Sequence, residues 1–164
     1  GDRRDKPAPY YGNIIDSLVG NIVGVESIEY GACTFEVNKL KAIGRSAKIT
    51  PKKVGQFVAI WKRNSSGQTE PYHATDPFDI IVINTCTKSN FGQFVFPKSA
   101  LLKHGVISND TKDGKRGIRV YPPWDKPTNR QAQKTQLWQL DYFLIIDENE
   151  NLDLERAKSL YTKN

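Results

Sequence analysis

The run FDIIVINTC, residues 78–86, carries β-branched or aromatic side chains at almost every position. Such side chains suit a pleated, packed surface better than a helix, so the run is read as a central strand. Further short segments share its character: GACTFEVN (31–38), KAIGRSAKIT (41–50), GQFVAIWKR (55–63), FGQFVFP (91–97) and RGIRVYP (116–122). Short links among the first three, one carrying Pro51, predict an antiparallel meander. RNSSGQTEPYHATDP (63–77) is a loop by its Ser, Gly, Thr and Pro content, and TKSN (87–90) is a turn. The prolines at 122 and 123 end the last strand, because proline cannot donate to a ladder.

Helical signals are fewer. YYGNIIDSLVGNIVG (10–24) spaces Ile14, Ile15, Leu18 and Ile22 at nearly helical intervals. PKSALLKHG, with Pro97 at its start and Gly105 at its end, has the usual asymmetry of helix termini. From Thr128 to about Phe143 a helix is expected with Leu137, Leu140 and Leu144 on one face, although YFLII reads equally as strand. NLDLERAKSLY (151–161) is a last amphipathic helix. The pattern is α+β: a single domain over residues 11–164 after a flexible lead-in at 1–10.

A chain of 164 residues buries a core without covalent staples. No apolar run approaches the roughly 20 residues of a membrane helix, and the N-terminus has no hydrophobic signal core. The two cysteines, Cys33 and Cys86, form no C-x-x-C pair, and only His73 and His104 could join them in a metal site. Two buried free thiols in a reducing compartment are therefore expected, with a cytoplasmic location and no cofactor. Elbow, phosphate-loop and H-E-x-x-H signatures are absent. His73 has no evident nucleophile partner and reads as a solvated loop residue, while His104 falls at a helix C-terminus.

Charge is distributed unevenly. The net charge is +6, yet from residue 39 to 63 eight cations occur without one acid: Lys39, Lys41, Arg45, Lys48, Lys52, Lys53, Lys62 and Arg63. Residues 112–134 add seven more against Asp113 and Asp125, and the acids collect in 141–155. Mixed-sign surfaces are the ordinary route to solubility, so this asymmetry points to a polyanion. In the strand around Arg119, Ile118 and Val120 face the core while Arg119 and Tyr121 share the other face. A cation beside an aromatic plane is the combination that single strands favour, through phosphates and unstacked bases. The candidate surface comprises Lys48, Lys53, Lys62, Arg63, Lys115, Arg116 and Arg119 for phosphate. Tyr121 and Trp124 are candidate stacking planes, with a packed anchor an equal reading of Tyr121 and the preferred reading of Trp124. Lys48 and Lys62 are expected to form a ladder of cations on neighbouring strands. The expected partner is single-stranded DNA or RNA, bound without sequence preference. An acidic protein surface is the rival partner, and the lack of a basic amphipathic helix argues against membranes.

The segments YGACTF (30–35), AKITPKKVGQFVAIWKR (47–63), FGQFVFPK (91–98), GKRGIRVYPPWD (114–125) and KTQLWQLDYF (134–143) together resemble the MepB family. These are small bacterial proteins named for a gene beside a multidrug efflux pump, a link to antimicrobial response. The resemblance implies a restriction-endonuclease-like core of the PD-(D/E)xK type, a mixed, mostly antiparallel sheet flanked by helices. It also implies degenerate nuclease residues and nucleic-acid binding without catalysis. A working centre needs an acid on one strand and an acid-x-Lys pair on the next, the carboxylates holding Mg²⁺ and the lysine aiding the attacking water. The first acid would be Asp79, sharing a face with Ile81 and Ile83. Strand 91–97 offers Gln93, Phe94 and Val95 in place of the acid-x-Lys triplet, leaving Lys98 as the lysine that would have to swing in. A Mg²⁺-dependent nuclease on Asp79, Gln93 and Lys98 is the enzymatic alternative.

Overall fold

The segment Ile80–Cys86 forms strand β8, and every side chain from Ile80 to Thr85 is buried. The computed structural model describes residues 22–26, 32–146 and 153–162. Within them β8 lies inside a six-stranded sheet, ordered β1 (Ile22–Glu26), β2 (Cys33–Val37), β3 (Leu40–Ser46), β8, β9 (Phe91–Pro97) and β11 (Phe143–Ile145). All neighbours run antiparallel except β3 and β8, which are parallel with Ile43 beside Ile81. The protein is thus α+β, with a mixed, mostly antiparallel sheet.

Alternation along these strands gives the sheet two buried faces. Ile43, Ile81, Ile83, Phe94, Phe96 and Phe143 point to one of them. That face is covered by a second, smaller sheet ordered β10 (Gly117–Val120), β5 (Gln56–Ala59) and β4 (Lys48–Ile49). Val58, Ile60 and Val120 enter the core from that side, joined by Leu101 of helix α1 (Lys98–Lys103) and Trp138 of helix α2 (Arg130–Leu140). Leu40, Ala42, Ile80, Val82, Val95 and Leu144 point to the other face, under Ala157 of helix α3 (Leu154–Leu160) and Tyr161. Arg156 ties α3 down by donating to the carbonyls of Leu140, Asp141 and Phe143.

Several expectations are corrected. Residues 41–63 are not one meander. After Ser46 the chain leaves the large sheet, with Ala47 N–H still donating to Asn84 O at 2.9 Å. It then reverses through Lys52 (φ 70°) and Gly55 (φ 86°) to build the small sheet. The link 63–77 is not all loop: β6 (Lys62–Arg63) and β7 (Thr69–Glu70) form a hairpin closed by Asn64, whose side chain accepts from Ser66 and Gln68 N–H. α2 ends at Leu140 and gives way to β11, and Leu137 is 72% exposed rather than in the core. The helix expected over 10–24 lies outside the described residues except for 22–24, which are strand. The lead-in at 1–10 is outside them altogether. Cys33 is buried but Cys86 only half-buried, and neither forms a disulfide. Among the described residues no helix is long and apolar enough to cross a membrane.

Candidate nucleic-acid interface

The small sheet presents an outer face built by register. Lys48 on β4 pairs with Phe57 on β5, and Phe57 with Arg119 on β10, so a cation, an aromatic ring and a second cation lie side by side. Phe57 is 43% exposed. Its ring lies over Gly117, where a Cβ would come within 2.5 Å of Phe57 Cζ. Tyr121 continues the face beyond Arg119, its ring pressed over Gly55, where a Cβ would meet it at 2.7 Å. Gly55 is also held at φ 86°, a conformation open to glycine and strained for other residues. The Arg119 guanidinium donates to Thr50 Oγ1 at 2.6 Å and to Val54 O at 3.3 Å.

Helix α2 forms the opposite wall. Asn129 caps it by accepting from Ala132 N–H at 2.8 Å. Two glutamines stitch it to β10 and the turn that follows. Gln139 accepts from Tyr121 N–H and donates to Arg119 O, both at 2.9 Å, satisfying the strand edge. Gln136 donates to the carbonyls of Tyr121, Pro122 and Asp125. Between wall and sheet runs a groove of about 1250 Å³. Phe57, Arg119 and Tyr121 line its floor, with Lys53, Lys115 and Lys134 among its cations. An adjoining hollow of about 400 Å³ shares Lys53, Arg119 and Tyr121 and adds Lys52.

Of the residues expected to grip phosphate, Lys53, Lys115 and Arg119 thus line the groove, and Lys48 stands beside it in the cation–aromatic row. The others do not join them. Lys62 donates to Asp76 Oδ1 at 2.6 Å and lies 3.5 Å from Glu70. The hydrogen bond to Asp76 holds the Lys62 ammonium above the ordinary lysine range. Burial alone would raise the Asp76 carboxyl, but hydrogen bonds from Lys62 and the His73 backbone, with their charges, bring it below its ordinary value. The expected ladder of Lys48 and Lys62 does not form, because the two lie in different sheets and Lys62 is already neutralised. Arg63 donates to Gly67 O and stacks 5.2 Å from the Trp61 ring. Arg116 donates to Thr69 O beside that hairpin. Tyr121 is 9% exposed, its ring packed rather than presented as an open stacking plane. Trp124 packs on the core, edge-on to Phe143 at 5.7 Å, and is an anchor.

The nuclease candidates are held apart by the alternation of the sheet. Asp79 precedes β8 on the face of Ile81 and Ile83, and its Oδ2 accepts Lys41 N–H at 2.7 Å. Gln93 lies on the opposite face, buried, donating to Asn84 Oδ1 at 2.9 Å and accepting from Tyr161 OH at 2.8 Å. Burial pushes the Tyr161 hydroxyl up, so it stays a donor. Lys98 sits next to Asp79 along the β8–β9 pair, but its Nζ is bound to the carbonyls of Ala74 and Asp76, over the Phe78 ring. These three side chains do not converge on one metal position.

Phe57, Lys134, His104 and Trp138 were not foreseen as groove residues. The alternation in GQFVA, which buries Gln56 and Val58 and exposes Phe57, carried a signal for the first. Lys134 and Trp138 are four apart on α2 and so share a face.

A family model described as MepB-like matches residues 24–145. Among solved structures, a crystal structure of MepB superposes with a TM-score of 0.74 at 30% sequence identity, covering 84% of this chain and 95% of that one. No curated protein matches.

Proposed function

We propose that this chain, which belongs to the MepB-like family, binds single-stranded nucleic acid in the groove between the small sheet and α2 without cutting it. The observation that carries this reading is the row Lys48–Phe57–Arg119, an exposed ring between two cations, of which Phe57 and Arg119 line the floor of a groove rimmed by lysines. Ammonium groups meet phosphates while bases lie on the ring, and neither contact selects a sequence. The large sheet, on this reading, is a degenerate restriction-endonuclease-like scaffold: Asp79 keeps the position of the first acid but serves as a tie to β3, and β9 carries Gln93 and Val95 where an acid and a lysine would stand.

Fluorescence anisotropy of labelled single-stranded RNA, single-stranded DNA and duplex DNA across a salt series tests the reading. Half of the samples contain Mg²⁺, and the strands are then run on a gel. Six cations on or beside the groove (Lys48, Lys52, Lys53, Lys115, Arg119 and Lys134) give an expected log–log salt slope of roughly −4 for single strands. Intact strands and weaker duplex binding complete the expected result. A flat salt dependence would refute the electrostatic grip, and cleavage that requires Mg²⁺ would restore the nuclease alternative.

A further inference from the structure

The nucleic-acid reading of the groove gives no role to His104, one of its lining residues. His104 follows α1 as its C-terminal cap, and its imidazole lies on the indole of Trp138 with centroids 3.9 Å apart and planes inclined by 4°. Behind the indole the column continues into the core: Trp138 meets Phe96 at 5.2 Å, and Phe96 stacks on Phe94 at 5.3 Å. Both phenylalanines are fully buried. His104 is therefore the outermost ring of a four-ring column whose inner end cannot move without disturbing the core.

A histidine that only completed the packing of α1 on α2 would be enclosed on both faces. Here one face lies on Trp138, the ring is only partly buried, and the residue lines the groove. A groove ligand meets its edge or the face turned from the indole. Burial, with the charge of neighbouring Lys103, lowers the imidazole below its ordinary value, so at neutral pH it is an uncharged plane. The exposed Leu137 supplies an apolar flank in the same groove, and Lys115 supplies a cation. A flat ring backed by aromatics, an apolar flank and a nearby ammonium together suit one nucleotide: base, sugar edge and phosphate.

We propose that His104 is a stacking station for one base of the bound strand, a second station beyond Phe57. This inference rests on the nucleic-acid reading, and the experiment separates the two. Binding of a short oligodeoxythymidylate and of an abasic strand of equal length is measured for the wild type, His104→Phe, His104→Ala and His104→Gln, with thermal unfolding as the control for folding. The two non-aromatic variants are expected to lose about tenfold in affinity for the thymidylate strand. Their affinity for the abasic strand should be unchanged, and His104→Phe should retain the wild-type preference. Should one non-aromatic variant fail to fold, the other carries the comparison. Should both fail, His104→Phe decides it, because loss of base preference with the ring retained refutes stacking. Equal losses on both strands, or no loss on either, would overturn the inference. A wild type that binds neither strand would instead overturn the reading of the groove.

Discussion

Reversing three groove lysines together, K53E/K115E/K134E, is expected to weaken binding of a single strand by about two orders of magnitude at roughly 0.1 M salt. The estimate follows from counterion release. Each phosphate contact to a single strand adds about 0.7 to the salt slope, so three lost contacts remove about two units of slope and, at that salt, about two decades of affinity. The slope of the variant should fall from roughly −4 toward roughly −2. Lys53, Lys115 and Lys134 are all exposed, so the cost in stability should be small. The matched control reverses Arg63, Lys88 and Lys112, which lie outside the groove and should move affinity far less. Equal losses in both variants would mean that net charge, rather than the groove, attracts the strand.

Phe96→Ala carries the largest expected effect on stability, about 3–5 kcal/mol. Phe96 is fully buried and touches three other rings, Phe94, Trp138 and Tyr142, at centroid distances of 5.3, 5.2 and 6.0 Å. Truncation leaves a cavity between the large sheet and α2 that these rigid neighbours fill only in part. For a domain of this size the midpoint of thermal unfolding should fall by on the order of 10 °C. The effect reaches the groove, because Trp138 loses the ring that backs it. Thermal melts followed by near-ultraviolet circular dichroism report both the global loss and the loosened indole. A midpoint within about 2 °C of wild type would show that the core closes over the gap and that the column is not a rigid support.

Much of the fold is legible along the chain. The β-branched run at Ile80–Cys86 is central, Pro97 and Gly105 bracket α1, and Val120 turns inward while Arg119 turns outward. These features follow from local side-chain chemistry. Pairing does not: β3 joins β8 in parallel across an excursion of more than thirty residues, and nothing in either strand names its partner. The same limit governs the charges. Residues 39–63 lack acids, yet Lys62 is neutralised by Asp76 and Glu70 from the following segment, once a hairpin folds them back. Trp124 after two prolines reads first as a packed anchor, and its indole does pack edge-on to Phe143. The α2 wall was the least legible part of the site. Gln136 and Gln139 look like surface residues in sequence, yet their amides bind the backbone of β10 and its turn and set the groove. In the stretch GKRGIRVYPPWDKP, Lys115, Arg119 and Tyr121 line the groove, while Arg116 turns to the β6–β7 hairpin and Trp124 packs on the core.

The most direct measurement is photo-cross-linking of a bromouracil-substituted single strand to the protein, with the adducts mapped by peptide mass spectrometry. The expected adducts lie on Phe57 and His104, in peptides from β5 and the end of α1. Adducts concentrated instead on the β6–β7 hairpin, with Phe57 and His104 clear, would contradict the groove as the binding site.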